Sequence, residues 1–290
     1  MSRVLPPVTI EGVAFWASRL PGWELARAVM RGERMAPAQP APRPAPTLLA
    51  PTERRRASET VALALEVAAR ACASAGRASS TLPSVFASTH GDLQISDYMC
   101  ATLARTPTLI SPTRFHNSVH NAASGYWSIG TGNHAPCTAI SACRHTFGTG
   151  LLEAATQVAC TGGAVLYVAF DIEARGPLAT VAPSRGLLGC ALVIGPTLQT
   201  LCPDASPGAQ NGPARDLRPG RCMTICVESC VPDVTPPRSR AAELVAENVL
   251  APCLPLFEAL AGEEAAALTL ALGTHAALSV RIEAEAGAAV

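Results

Sequence analysis

The sequence contains no lysine, so all 22 of its basic residues are arginine. Schiff-base chemistry and lysine-dependent phosphate binding are therefore excluded within this chain. Aromatic residues make up only 4% of the chain and charged residues 15%, and the formal net charge is zero. A neutral chain with no basic block does not fit a nucleic-acid binder. The short run Arg54-Arg55-Arg56 is too small to change that. Long apolar runs are missing too. The most apolar windows, 186–196 and 265–280, are too short to span a membrane, and the second contains His275. The first nine residues lack a basic stretch followed by a long apolar one, so no signal peptide is expected.

What is present is apolar. Hydrophobic residues reach 49% of 290, enough to bury a sizeable core in one large domain or two. The eleven cysteines are an odd number in a long chain, which is not the pattern of a small disulfide scaffold. The expectation is a reduced, cytoplasmic protein whose thiols are mostly small buried hydrophobes. The open question is whether one of them is a nucleophile or a ligand.

Apolar alternation predicts a strand over 8–17 and helical spacing over 21–32. Residues 36–51 are rich in Pro and Ala and read as an extended surface loop. One long helix is expected over 51–76, started by Pro51-Thr52 and ended by Gly76. A short strand over 83–88 leads through Thr89-His90-Gly91-Asp92 into a helix over 93–104. Further on, a strand over 137–143 precedes a helix over 146–160. The runs AVLYVAF (164–170) and GCALVI (189–194) are near-continuous apolar stretches, the mark of strands buried on both faces. Seven Pro and Gly residues between 203 and 220 mark a linker or long loop. A strand over 223–231, a helix over 238–260 and strands over 266–272 and 276–284 follow, the last two joined by Gly273-Thr274. The alternation is that of a layered α/β protein.

Several of these stretches carry a family likeness. SPTRFHNSVHNAASGYWSIGTG (111–132) resembles the ketosynthase pattern around the dimer-interface strand. HAPCTAISACRHTFGTGLLEAA (134–155) followed by GGAVLYVAFD (162–171) resembles the ketosynthase nucleophile strand, buried helix and next core strand. LAPTERRRASETVALALEVAARA (49–71) resembles the N-terminal helix. Over residues 8–196 the chain is most similar to the short β-ketoacyl-synthase-like proteins of aryl-polyene and xanthomonadin-type pigment clusters. The resemblance implies a thiolase-like fold, layered α-β-α-β-α, with the first half complete and the second reduced. It divides the chain into a ketosynthase N-terminal-like domain (1–196), a linker (197–220) and a remnant (221–290) that completes the sheet. LGTHAALSVRIE (272–283) weakly resembles the last ketosynthase strand.

Ketosynthases condense acyl units through a cysteine thiolate at the start of a buried helix, with two histidines downstream to stabilise the enolate. The downstream HGTGT-like and GHxxG-like settings are not in this chain, where the only histidine after Pro196 is His275. Counting back without gaps from AVLYVAF puts the nucleophile position at His145, or at Arg144 with one residue of slippage. Neither forms a thioester. Cys143 reaches the position only with two residues of slippage, and a small buried thiol at a strand end is the alternative reading.

By the same resemblance, Phe115, Asn117, Ser118, His120, Asn121, Tyr126 and Trp127 fall at the subunit interface. His116 and His120 are four apart, a spacing that can bind zinc on a helix, but the Glu of the zinc-hydrolase motif is missing. Cys222, Cys226 and Cys230 share one face of a strand and are spread too far along it for one ion. No metal site and no cofactor are expected. Arg54, Arg55 and Arg56 are either a contact for an acidic acyl carrier protein or a solvated helical turn. The family reading is a non-condensing, chain-length-factor-like subunit that pairs with a full-length ketosynthase or with a second copy of itself. Two alternatives remain: an acyl-carrier condensing or acyl-transfer enzyme using Cys143, and a homodimeric acyl-binding module without catalysis.

Overall fold

The computed structural model describes residues 2–197 and 220–284, so most of the expected linker lies outside the described residues. Its strands are β1 (Ser2–Val4), β2 (Val8–Ala17), β3 (Ser84–Ala87), β4 (Cys137–Ile140), β5 (Val165–Asp171), β6 (Leu188–Pro196), β7 (Arg221–Glu228), β8 (Ala266–Gly273) and β9 (Ala276–Ile282). The helices are α1 (Trp23–Met30), α2 (Pro51–Arg56), α3 (Glu59–Ala75), α4 (Leu93–Arg105), α5 (Pro112–His116), α6 (Ala122–Thr131), α7 (Thr146–Thr161), α8 (Leu178–Val181), α9 (Arg240–Glu243) and α10 (Leu254–Ala261).

All the strands join one mixed sheet in the order β4-β3-β5-β6-β2-β7-β9-β8, with β1 beside β7. β4, β3 and β5 are parallel, whereas β6 runs antiparallel to both β5 and β2. The N-terminal segment joins the two parts of the sheet: Val4 pairs with Cys226 and Val8 with Met223, and β2 then continues along β6. β5 is buried along its whole length, as its unbroken apolar run requires. Leu166, Val168 and Phe170 face α3 and α6, while Val165, Tyr167 and Ala169 face α7.

α7 lies between the two parts of the sheet, together with α1, α9 and α10. Phe15, Phe147 and Phe257 meet there with ring centroids 5.4 and 6.4 Å apart. Gly150 allows the close approach. A Cβ at that position would sit 2.7 Å from the Tyr167 ring and 2.9 Å from the Ala87 Cβ. The layering is thiolase-like: α3 and α6, sheet, α7 and α10, sheet. The outer face of β7–β9–β8 is half-buried, and the helices α7 and α10 reach these strands from the inner side. No described helix covers the outer face.

Three expected elements differ. The helix over 51–76 is broken, because Ala57 is extended and Ser58 caps α3 by accepting from the Val61 N–H. The helix over 238–260 resolves into α9, a 3-10 turn at Ala251–Cys253 and α10. Pro252 and Pro255 each sit in the first turn of a new helix, where a missing N–H does no harm. The expected interface strand within 111–132 is helical: α5, a turn, and α6. Pro112 starts α5 and Ser111 caps it by accepting from Arg114 N–H.

Glu11 is the extra residue of a β-bulge in β2, where the register shifts between Ile10 and Gly12. The bulge turns its carboxylate inward, where Arg77 donates two hydrogen bonds of 2.7 Å. The Glu11 side chain is 0% exposed and that of Arg77 11%.

Candidate active site

Cys143 sits at the junction of β4 and α7, in the 3-10 turn Cys143–His145. Its φ is +51°, the only positive φ outside glycine among the described residues. Such a conformation costs about 1–2 kcal/mol and persists only when neighbours hold it. They do. The Thr146 hydroxyl accepts from Ala142 N–H at 2.9 Å and donates to the Cys143 carbonyl at 2.7 Å. The result is a tight elbow that presents an exposed thiol beside the first turn of a buried helix. Arg144 and His145, the positions reached by counting, lie in the same 3-10 turn without positive φ.

The thiol opens on a cleft of about 770 Å³. Thr89, His90, Cys143 and Arg144 form one wall, Val181–Pro183 another, and residues 234–237, 246–249, 251, 252, 254 and 255 the third. The lining is largely apolar and prolyl, and His90 is the one imidazole among the described lining residues. Burial lowers the His90 pKa, favouring the neutral ring.

The loop carrying Thr89 and His90 is tied down from beneath by Asp171, at the end of β5. Its carboxylate accepts from the Ser88 hydroxyl at 2.9 Å and from the Thr89 and His90 N–H groups. The Ser141 hydroxyl donates to the Thr89 carbonyl, linking the loop to the elbow. His120 Nε2 contacts the Ser88 carbonyl at 2.8 Å. Asn248 closes the back: its Nδ2 donates to the Arg185, Gly186 and Asp171 carbonyls, and its Oδ1 accepts from Leu250 N–H.

Burial raises the Asp171 carboxyl to about 6, against the hydrogen bonds from Thr89, Ser88 and His90 that pull it down. The folded state therefore keeps a proton that the unfolded chain has released. This stabilisation is present below pH 4 and is lost as pH rises from about 4 to about 6, by roughly 3 kcal/mol. Asp171→Asn is expected to remove that slope, whatever it does to absolute stability. Urea denaturation of both proteins at pH 4, 5, 6 and 7 checks it, and parallel curves would show the assignment wrong.

An elbow thiol heading a buried helix, on a sheet with β4-β3-β5-β6-β2 order, is ketosynthase architecture. A family model for the beta-ketoacyl synthase N-terminal domain matches residues 28–211, more than half of the chain. The chain belongs to the β-ketoacyl synthase family. Solved ketosynthase structures share the fold. A chain in the structure of the ketosynthase ApeO in complex with its chain length factor ApeC from Xenorhabdus doucetiae is 22% identical, with a TM-score of 0.65 over 94% of this chain and 98% of that one. The ishigamide ketosynthase/chain length factor gives 14% identity and a TM-score of 0.65 over 96% and 99%. The type II polyketide synthase complex AntDE:AntF gives 10% identity and 0.63 over 97% and 99%. Among curated proteins none matches the chain in sequence.

The ketosynthase-family interface residues divide by exposure. Phe115 is 60% exposed and Asn121 is also exposed, whereas Ser118 and His120 are half-buried. Asn117, Tyr126 and Trp127 are 3%, 2% and 1% exposed and pack inside this subunit. A helical segment buries every third or fourth residue, and these three lie on the inward side. Val119 and Ile129, at 51% and 68% exposure, are the apolar residues the family reading left out. His116 packs edge-on against Tyr126, and His120 binds backbone. Arg54 is also turned inward, donating to the Thr47 and Leu49 carbonyls and pinning the Pro-rich loop. Only Arg55 and Arg56 of the triplet are exposed.

Ten of the eleven cysteines fall in the described residues, all free. Cys72 is buried and its thiol is pushed up to about 12. Cys190 is buried beside Cys253 and is raised mainly by burial. Neither is a nucleophile. Asp171 and Asn248 were not singled out in sequence. The signal for Asp171 was a charge ending a fully apolar strand; Asn248 had none, lying inside an expected helix. No helix among the described residues is long and apolar enough to cross a membrane.

Proposed function

We propose that this chain is a non-condensing, chain-length-factor-like subunit. It pairs with a full-length ketosynthase in the cytoplasm and shapes the channel for a growing fatty or polyene chain held on an acyl carrier protein. Residues 1–196 act as the ketosynthase N-terminal-like domain and 221–290 as a reduced second part, with 197–220 between them. The observation that carries the partner reading is an uncovered face. Among the described residues β4 ends the sheet with one edge unpaired, and Phe115, Val119 and Ile129 are exposed on the neighbouring helical segment. A free strand edge beside apolar side chains is a surface that proteins cover. The heterodimeric ketosynthase and chain length factor structures of the same fold support the same partner class. A second copy of this chain is the other occupant. Co-expression with a full-length ketosynthase from the same genome is expected to give one co-eluting species at micromolar concentration; separate elution ends the reading.

A second reading has its own observation. The strained Cys143 elbow at the head of α7 is built as a nucleophile site is built. In this reading the Cys143 thiolate attacks an acyl thioester, forming an acyl-Cys143 thioester and releasing the carrier thiol, which takes the proton. Incubation with an acyl-carrier donor followed by intact-protein mass spectrometry decides it. A mass gain in the wild type that is absent in Cys143→Ala establishes acyl transfer. No gain, or an equal gain in both, leaves the non-condensing reading alone.

A further inference from the structure

The sheet brings His90 level with Cys143. β3 and β4 run parallel, with Ala87 opposite Ile140. The pairing continues past the strand ends: Ser88 N–H donates to the Ile140 carbonyl at 3.2 Å, and the Ser141 hydroxyl donates to the Thr89 carbonyl at 2.9 Å. Carried three residues beyond the Ala87–Ile140 pair, this register sets His90 opposite Cys143. Both line the cleft of about 770 Å³.

The His90 backbone is held while its ring is free. Asp171 accepts from the Thr89 and His90 N–H groups. The ring itself makes no hydrogen bond or ion pair among the described residues. His120, by contrast, is tied to the Ser88 carbonyl, and His116 packs against Tyr126. Burial favours the neutral imidazole, the form that accepts a proton. The titratable and charged groups around His90 are Asp171 beneath it, Asp92 two residues on, His120 behind the loop, Cys143 and Arg144 on the elbow, and Glu247 on the facing wall.

We propose that His90 is the proton acceptor for Cys143 and that the pair hydrolyses acyl thioesters carrying an apolar chain. The inference rests on the acyl-transfer reading of Cys143 given above and adds to it a base and a fate for the acyl group. The Cys143 thiol gives its proton to the His90 ring, and the sulfur attacks the thioester carbonyl. The bond to the leaving sulfur breaks, and His90 returns the proton to that thiol. Water then gives a proton to His90 and attacks the acyl-Cys143 carbonyl. The bond from carbonyl to Cys143 breaks, the thiolate takes the proton back, and the free acid leaves. Water reaches this intermediate because Cys143 is exposed. Condensation would need a further acid to hold an enolate. The cleft has no second imidazole among its described lining residues, and the Asn248 amide is committed to backbone carbonyls. The largely apolar lining suits the acyl chain.

The test is incubation of the full chain with octanoyl-pantetheine, with free octanoate and acylated protein both read by mass spectrometry. Thiol reagents do not serve, because Cys100, Cys137, Cys160 and Cys230 are exposed as well. The proteins are wild type, Cys143→Ala, His90→Gln and His90→Gly. Wild type is expected to release octanoate at a rate that rises with pH, as the ring loses its proton, to a plateau below the ordinary imidazole midpoint. Cys143→Ala should stay at the uncatalysed rate. His90→Gln should be about a hundred-fold slower or more, with the pH step gone. Asp171 titrates in a similar range, so the loss of the step in His90→Gln, rather than its position, carries the assignment. Added imidazole should restore His90→Gly, since it replaces a base and not a structural side chain. Unchanged release in His90→Gln, or a loss in His90→Gly that imidazole does not restore, overturns the role of His90. Acyl-Cys143 without released octanoate overturns hydrolysis and leaves acyl transfer standing. If neither acyl-Cys143 nor octanoate forms, the acyl-transfer reading has failed and the proposal falls with it.

Discussion

Replacing Phe115 and Val119 together by aspartate is expected to abolish co-elution with a partner ketosynthase while leaving the thermal midpoint of the isolated chain unchanged. Both side chains are more than half exposed, at 60% and 51%, so their removal empties no core. They lie four residues apart, Phe115 in α5 and Val119 in the turn that follows. Covering each would contribute about 1.5–3 kcal/mol, and a carboxylate in their place would have to be desolvated. Together that is about 4 kcal/mol or more, roughly a thousand-fold in affinity. A double variant that co-elutes like the wild type removes this face from the interface. Tyr126 and Trp127 do not serve the same purpose, because both are buried in the core of their own subunit and their loss would unfold the chain.

Glu11→Ala is the substitution expected to destabilise the fold most. The carboxylate is fully enclosed, and both its oxygens receive Arg77. Its loss leaves a nearly buried guanidinium facing the cavity of a missing carboxylate, which costs about 3–5 kcal/mol. That is a large share of a typical folding free energy. Glu11→Leu with Arg77→Met should recover much of the loss, because an apolar pair needs no compensating charge. Chemical denaturation of the single and double variants checks both statements, and a single variant within 1 kcal/mol of the wild type, roughly the scale of a surface pair, would refute the first.

The apolar runs at β5 and β6 were legible because a strand buried on both faces admits few polar residues, whatever it packs against. β8 and β9 were legible through the Gly273-Thr274 turn. Helix ends were less so. Ser58 breaks the 51–76 helix through one side-chain hydrogen bond, and Pro252 and Pro255 were compatible with either one helix or two. The family likeness implies a strand around 115–121, while the local capping at Ser111 and Pro112 favours a helix start. In the candidate site, Thr89 and His90 drew attention as a loop after a core strand.

Composition and local pattern alone determined much about this protein. A lysine-free, neutral chain confines its cation chemistry to arginine, and the strand and helix alternation with the family signatures sets the α/β class. Only the tertiary structure shows which thiol sits exposed in a strained turn and which arginines line one cleft. Cys143 holds its positive φ through contacts with Thr146, while Ser141 and Asp171 brace the adjoining loop, the last acting across 83 residues of sequence through Ser88. The arginine triplet turned out to be one inward anchor, Arg54, and two outward residues joined by Arg43, Arg114 and Arg175 from distant segments. Local patterns follow from the period of a helix or strand, which a sequence carries. Convergence of distant side chains follows from how the layers stack, and no spacing in the chain records it.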